Sequence, residues 1–455
     1  MGRSATNLHF ANALLPAGWA ADVRLTIREG LIAGVETCTA PHVEDQRHAV
    51  ALPGVGNLHS HAFQRGMAGL AERRGPAGDS FWTWRETMYR FVERIGPDEL
   101  QALAALAYVE MLESGFTRVG EFHYLHHAAG GGAFADPAEM SQAIFAAAAE
   151  SGIGLTHLPV FYAHGGFGGS APGKAQRRFV HDIDGYARLV DATRAAAAQL
   201  PDAIVAVAPH SLRAVTPDEL RAILPLAGDG PIHIHIAEQV KEVEDCIAWS
   251  GARPVEWLLD NAAVDARWCL VHATHMTDAE AAAMARSGAV AGLCPITEAN
   301  LGDGIFPAEP FLTAGGRFGV GSDSNVLIDM TEELRLLEYG QRLARRERNL
   351  LAREPGRSTG QDLFEAAVAG GAQAMGFESG LAVGNAADLF SLSPGHPSLA
   401  GRGPDALLDS LIFASRRGAV DCVWRRGQKL VSQGRHRARD AIAARYRGTL
   451  TALLA

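Results

Sequence analysis

Between Ala51 and Asn325 a short apolar run alternates with a longer stretch of helical composition, and the pattern repeats until eight runs have passed. The runs expected as strands are Leu52–His61, Phe116–Tyr124, Gly154–Tyr162, Ala203–Leu212, Pro231–Ala237, Trp268–His275, Ala289–Thr297 and Phe318–Asn325. Between most of them lie Ala- and Leu-rich segments, among them Pro97–Ser114, Pro137–Ser151, Tyr186–Gln199 and Asp278–Ser287, which suit amphipathic helices. Near-continuous apolar strands alternating with helices imply a parallel sheet covered by helices. Eight such units predict an α/β chain folded as a (β/α)8 barrel of the TIM type. An open doubly wound sheet would place a glycine-rich phosphate turn after its first strand. Here that strand ends in His59-Ser60-His61.

The flanks have a different character. Val23–Ile27, Leu31–Val35, Ala387–Leu392, Ala419–Arg425 and Gln428–Ser432 are short strand-like pieces separated by turn residues. Neither flank is long enough to build a secure core alone. The expected organisation is therefore a barrel over 51–379 beside one small β domain assembled from 1–50 and 380–455, the latter ending in a helix. Lys and Arg number 41 against 51 Asp and Glu, a net charge of −10, which argues against a general nucleic-acid or anionic-membrane binder. No apolar run of about 18 residues is present, and the N-terminus lacks the pattern of a secretory signal. Met1–Thr6 matches a loose myristoylation pattern, set aside because no second membrane signal accompanies it. The five cysteines are scattered and form no Cys-x-x-Cys, which fits a reducing cytoplasm and no thiolate metal site.

Histidine is over-represented: 18 residues exceed the 7 Trp and 7 Tyr combined. Several sit where a barrel carries its chemistry, at the C-terminal ends of the strands. His59 and His61 share one face of the first strand, since residues i and i+2 point the same way. The fifth run reads His233-Ile-His235-Ile-Ala-Glu238, the sixth Leu-Val-His272-Ala-Thr-His275, and the eighth ends Ser322-Asp323-Ser324-Asn325. Three imidazoles and one carboxylate, His59, His61, His235 and Asp323, suit one divalent metal ion, Zn²⁺ before Fe²⁺. Such an ion lowers the pKa of a coordinated water to about 7. Glu238, three residues past His235, is placed to shuttle a proton to substrate. Asp323 is placed to take the water's proton, and His272 to stabilise the attacked group. His233, His275 and the His123, His126, His127 group are expected in structural or loop roles.

The ordered set His59-x-His61, His235-x-x-Glu238, His272 and Ser322-Asp323 resembles the amidohydrolase superfamily, and within it the mononuclear deaminases. Binuclear members use a carboxylated Lys in the fourth strand; Ala203–Leu212 has no Lys, which implies a single metal. Further segments narrow the resemblance: Leu58-His-Ser-His-Ala-Phe-Gln64-Arg65-Gly66, Phe81-Trp82-Thr-Trp84-Arg85, Gly120-Glu-Phe-His-Tyr124 and Pro209-His210-Ser-Leu-Arg213. Together they are similar to the N-formimino-L-glutamate iminohydrolase family of histidine degradation. The resemblance implies a small dicarboxylate substrate with a formimidoyl group, converted to the formyl compound and ammonia. It further implies Arg85 and Arg213 as carboxylate forks, with Gln64, Tyr124 and His210 as neutral orienting partners. Trp82 and Trp84 are expected to wall the pocket. A homodimer is expected by analogy with such barrels. The rival readings are a deaminase for guanine, cytosine or a thiomethyl- or homocysteinyl-adenosine, a metal-dependent amide or chloride hydrolase, and a non-catalytic assembly protein of the same fold. A nucleobase pocket would want aromatic stacking and amide readout more than two arginines.

Overall fold

Eight strands follow one another around the barrel in chain order: Val55–Ser60, Phe116–His123, Gly154–Phe161, a fourth in two pieces (Ile204–Val205 and Ala208–Pro209), Ile232–Ile236, Trp268–His272, Val290–Leu293 and Arg317–Val320. The computed structural model describes residues 5–75, 79–416 and 418–455. Residues 1–4, which hold most of the Met1–Thr6 motif and the start of the first flank, lie outside them. Strands one to four pair in parallel, as do strands five to eight. The two halves join through parallel bridges, Val207 with Ile232 and Ser211 with His235 on one side and Ser60 with Asp323 on the other. The result is the (β/α)8 barrel read from the alternation.

Two expected strands are shorter in the structure for identifiable reasons. The run Leu52–His61 is divided at Gly54, whose N–H donates to Asp388 O at 3.0 Å, so residues Gln46–Pro53 pair elsewhere and only Val55–Ser60 enters the barrel. The seventh strand stops at Leu293 because Pro295 opens helix Pro295–Leu301. Gly321, just past strand eight, touches the first strand: a β carbon there would lie 2.7 Å from both N and O of His59. Glycine thus lets the eighth strand press against the strand carrying two of the candidate ligands.

The small β domain is one eight-stranded sheet in the order Arg435–His436, Gln428–Ser432, Val420–Arg425, Leu389–Leu392, Gln46–Pro53, Thr6–Leu15, Gly18–Arg28, Leu31–Glu36. The two ends of the chain meet at its centre, where Leu389–Leu392 runs antiparallel to Gln46–Pro53 with Phe390 opposite Leu52. Strand Gln46–Pro53 crosses the expected boundary at residue 51. Strand Thr6–Leu15 was not among the expected pieces. Its buried residues, including His9, do not alternate cleanly with exposed ones, and its two Asn and two Ala have low strand propensity. Leu8, Phe10, Val23, Leu25, Leu389 and Trp424 form the core of this domain. The terminal helix Arg439–Leu454 leaves the sheet to pack on barrel helix Pro97–Glu113. Tyr446 Oη there donates to Arg65 O at 3.2 Å.

Candidate active site

Strand periodicity brings the first two histidines together as expected: the rings of His59 and His61 lie 4.7 Å apart, edge to face. His235, from the end of strand five, places its Nε2 3.0 Å from His59 Nε2. One nitrogen from each of the three lies within 4.8 Å of the others. Asp323 joins them, its Oδ1 3.2 Å from His61 Nε2 and 3.5 Å from His59 Nε2. His61 Nδ1 lies 2.8 Å from the carbonyl of Phe122, which takes its proton and leaves Nε2 with a lone pair facing the cluster. Burial holds all three imidazoles neutral, His59 down to about 3. Burial alone would push the Asp323 carboxyl up, but the His59 hydrogen bond and the imidazoles of His59, His61 and His272 hold it below the usual carboxylate range. Three neutral nitrogen donors converging with an ionised carboxylate, and no thiolate, fit one divalent ion of the Zn²⁺ or Fe²⁺ class.

The backbone under this cluster is strained and braced. Ala237, His272, Ala273, Asp323 and Asn325 all have φ between +44° and +67°, each at or just past the end of a barrel strand. Asp323 N donates to His59 O and His61 N to Asp323 O, both at 2.9 Å. Asn57 donates to Ser322 Oγ at 2.6 Å, Ser322 Oγ to Asn325 Oδ1 at 2.6 Å, and Asn325 Nδ2 lies 3.1 Å from Ser60 Oγ, His61 O and Asp323 O.

His272 is held between carboxylates. Its Nδ1 is 3.3 Å from Glu298 Oε1, and its Nε2 is 3.8 Å from both Glu238 Oε1 and Asp323 Oδ2. Burial would lower it, but Glu238, the Glu298 hydrogen bond and Asp323 outweigh burial and raise it to about 10. Burial also raises Glu238 to about 7, against the pull of His272 and Arg213. A carboxyl that is half protonated near neutrality, beside an imidazolium, is suited to donating a proton to a nitrogen.

A cavity opens above the cluster, with His61, His235, Glu238, His272 and Asp323 at its floor. Gln64, Arg85, Tyr124, His210 and Arg213 all line it. Helix Phe81–Val92, capped by Ser80, crosses its side and contributes Phe81, Trp84, Arg85, Met88 and Tyr89. Gln64 Nε2 donates to Tyr124 Oη at 2.8 Å, and the His210 ring lies 4.9 Å from that of His235. The Arg85 guanidinium stacks over Trp82 at 4.6 Å, and that of Arg213 lies 5.9 Å from the same ring. Trp84 walls the cavity, whereas Trp82 holds the two arginines. Both Arg85 Nε and Arg213 Nε are buried with no hydrogen-bond partner among the described residues. Two half-buried cations line a space the size of a small metabolite, which is what a dianion requires.

The other histidines lie elsewhere. His233 Nε2 meets Ala374 O at 2.7 Å, and His126 and His127 meet the carbonyls of Val160 and Val180 at 3.0 and 2.8 Å. Three site residues were missed from sequence. Glu298 orients His272 and carried no motif. Glu242 stands one helical turn past Glu238, and that spacing was a usable signal. Asn325 was quoted only as the end of the eighth run.

Comparison with known proteins identifies the family. Residues 50–430 match the model of the amidohydrolase family, and residues 5–49 match that described as "Formimidoylglutamate deiminase HutF, N-terminal domain". The formimidoylglutamate deiminase of Pseudomonas aeruginosa is 52% identical over 97% of this chain and 98% of its own. A crystal structure of an amidohydrolase from Brucella melitensis superposes with a TM-score of 0.96 at 55% identity, covering 99% of this chain and 100% of that one. A zinc-bound adenosine deaminase from Xanthomonas campestris shares the fold, with a TM-score of 0.80 at 22% identity over 99% of this chain and 98% of its own. The chain belongs to the amidohydrolase family, among its formimidoylglutamate deiminases.

Proposed function

We propose that this chain hydrolyses N-formimino-L-glutamate to N-formyl-L-glutamate and ammonia, the deimination step of histidine degradation. The observation that carries the reading is the pairing of two half-buried arginines, Arg85 and Arg213, with a three-histidine, one-aspartate cluster across a single cavity. His59, His61, His235 and Asp323 are the residues proposed to hold the metal, with Zn²⁺ as first choice and Fe²⁺ as alternative. When bound, a divalent ion of this class acidifies water and makes it nucleophilic at neutral pH.

The chain's own residues account for the remaining steps. Arg85 and Arg213 bind the two carboxylates, and Gln64, Tyr124 and His210 orient the chain between them. Asp323, held ionised, accepts a proton from the attacking water. Glu238 delivers a proton to the imine nitrogen and recovers one from the hydroxyl of the tetrahedral species as it collapses, while Asp323 passes the water's proton to the nitrogen that departs as ammonia. His272, carrying a positive charge, stabilises the charge that develops at the attacked carbon's substituents. Asp323 and Glu238 thus divide base and acid duties because their surroundings drive their proton affinities apart. The proposed setting is the cytoplasm and the proposed assembly a homodimer; no described helix is long and apolar enough to cross a membrane.

The test is ammonia release by purified, metal-replete protein from N-formimino-L-glutamate, guanine, cytosine and 5-methylthioadenosine. Release from the first alone is the expected result. Turnover of a purine with none of the dicarboxylate would overturn the reading. Removal of metal by a chelator should abolish release, and Zn²⁺ or Fe²⁺ should restore it.

A further inference from the structure

Glu242 has no exposed surface, although it stands in the first turn of helix Val240–Ser250. Its Oε1 accepts the N–H of Ala237 at 3.3 Å and its Oε2 that of Glu238 at 3.2 Å. Those are the residues of the turn that aims the Glu238 side chain, and Ala237 adopts φ +50° within it. The same Oε2 lies 3.9 Å from Arg213 Nε, which arrives from the end of the fourth strand. Arg213 Nη2 is in turn 3.9 Å from Glu238 Oε2. A single buried carboxylate therefore holds the backbone of the proton donor with both oxygens and the carboxylate fork with its charge.

We infer that Glu242 is a positioning residue that keeps Arg213 and Glu238 in register, and so selects substrates whose carboxylate stands a fixed distance from the C=N group. The inference rests on the deiminase reading above. An arginine side chain has about 2 kcal/mol of rotamer entropy to lose, and an unbraced guanidinium would reach carboxylates at several distances. Charge-paired with Glu242 at 3.9 Å, it is biased toward one. The carboxylate that braces it also sets the turn of the proton donor, so the spacing between the two ends of the substrate is built into the protein before binding. Glu242 touches neither substrate nor reacting atoms; it acts through Arg213 and the Glu238 backbone.

The experiment compares the wild type with E242Q, E242D, R213A and the double variant R213A/E242Q. Each is assayed for kcat and KM on N-formimino-L-glutamate, N-formimino-L-aspartate and the two monocarboxylate analogues that lack one or other carboxylate of the glutamate compound. E242Q is expected to lower kcat/KM for the dicarboxylate about 30-fold or more, and about five-fold less than that for the analogue missing the carboxylate that Arg213 binds, where only its hold on the Glu238 turn is lost. In the R213A background, E242Q should cost the dicarboxylate about five-fold less than it does in the wild type, because only its hold on the Glu238 turn remains to be lost. E242D keeps the charge on a shorter arm. It should recover most of the activity while shifting the glutamate-to-aspartate preference by about five-fold or more. Equal losses on all substrates, or fully multiplicative losses in the double variant, would show a prop for the turn and overturn the inference. If E242Q does not fold, an E242D preference equal to that of the wild type overturns it. Failure of the deiminase reading would show separately, as absence of ammonia release by the wild-type protein.

Discussion

Replacing Asn325 with alanine should loosen the site without touching a ligand. Asn325 is fully buried. It accepts from Ser322 Oγ at 2.6 Å and points its amide at Ser60 Oγ, His61 O and Asp323 O, each at 3.1 Å. The carbonyls of His61 and Asp323 keep other donors, Gln64 N and His61 N, both at 2.9 Å. Alanine therefore strands chiefly the Ser322 hydroxyl and the Ser60 oxygen, at about 1–3 kcal/mol for each buried group. A further cost of about 1 kcal/mol arises because alanine tolerates the left-handed backbone less well than asparagine. The total, about 3–7 kcal/mol, should appear in urea unfolding of the metal-stripped protein. Zn²⁺ affinity, measured by chelator competition, should fall about 10- to 100-fold, since the residue braces the main chain of two ligands. Asn325→Gly should recover the backbone part, about 1 kcal/mol. An alanine variant within about 1 kcal/mol of wild type, with unchanged Zn²⁺ affinity, would refute the bracing argument.

Other outcomes follow from the same geometry. Asp323→Asn should remove nearly all turnover even when metal-replete; near-normal kcat would show that the water's proton goes elsewhere. With Glu238 raised to about 7, kcat should decline as pH rises past that value and the acid form is lost. A profile flat to high pH would assign the proton to another group. His272 is raised to about 10 in the folded chain, so its contribution to the stability of metal-stripped protein is complete below the unfolded value near 6.5 and lost as pH rises through 10. Glu298→Gln should shrink that loss; parallel stability profiles for the two proteins across this range would show that Glu298 does not charge His272.

Much of this was legible before any coordinates. Near-continuous apolar strands alternating with Ala-rich helices reveal a barrel because strands buried on both faces read that way, and a barrel's strand ends locate its chemistry. His59, His61, His235 and Asp323 stood at three such ends, so they could be grouped across the sequence without knowing the folded distances. Arg85 was harder, because it comes from helix Phe81–Val92 and no strand end points to it; only the resemblance of its surrounding segment brought it forward. Glu298 and Asn325 escaped notice for a different reason. Their roles are defined by partners on other strands, and a buried carboxylate or amide in an isolated sequence looks like any surface residue. The division at Gly54 was hidden because apolar residues continue on both sides of it, first in the small sheet and then in the barrel.

The backbone hydrogen bonds between the first and last barrel strands bear on how the molecule comes into being. Asn325 reaches Ser60 across 265 residues of sequence. His59 and His61 are synthesised early, but the residues that fix their orientation emerge only after most of the chain has been made. Long-range contacts of this kind form late, because the ends must find each other before any reward is collected. Catalytic competence therefore waits on the eighth strand. A chain stopped short of the eighth strand carries all three imidazoles and still has no assembled site, so a half-made molecule stays chemically silent.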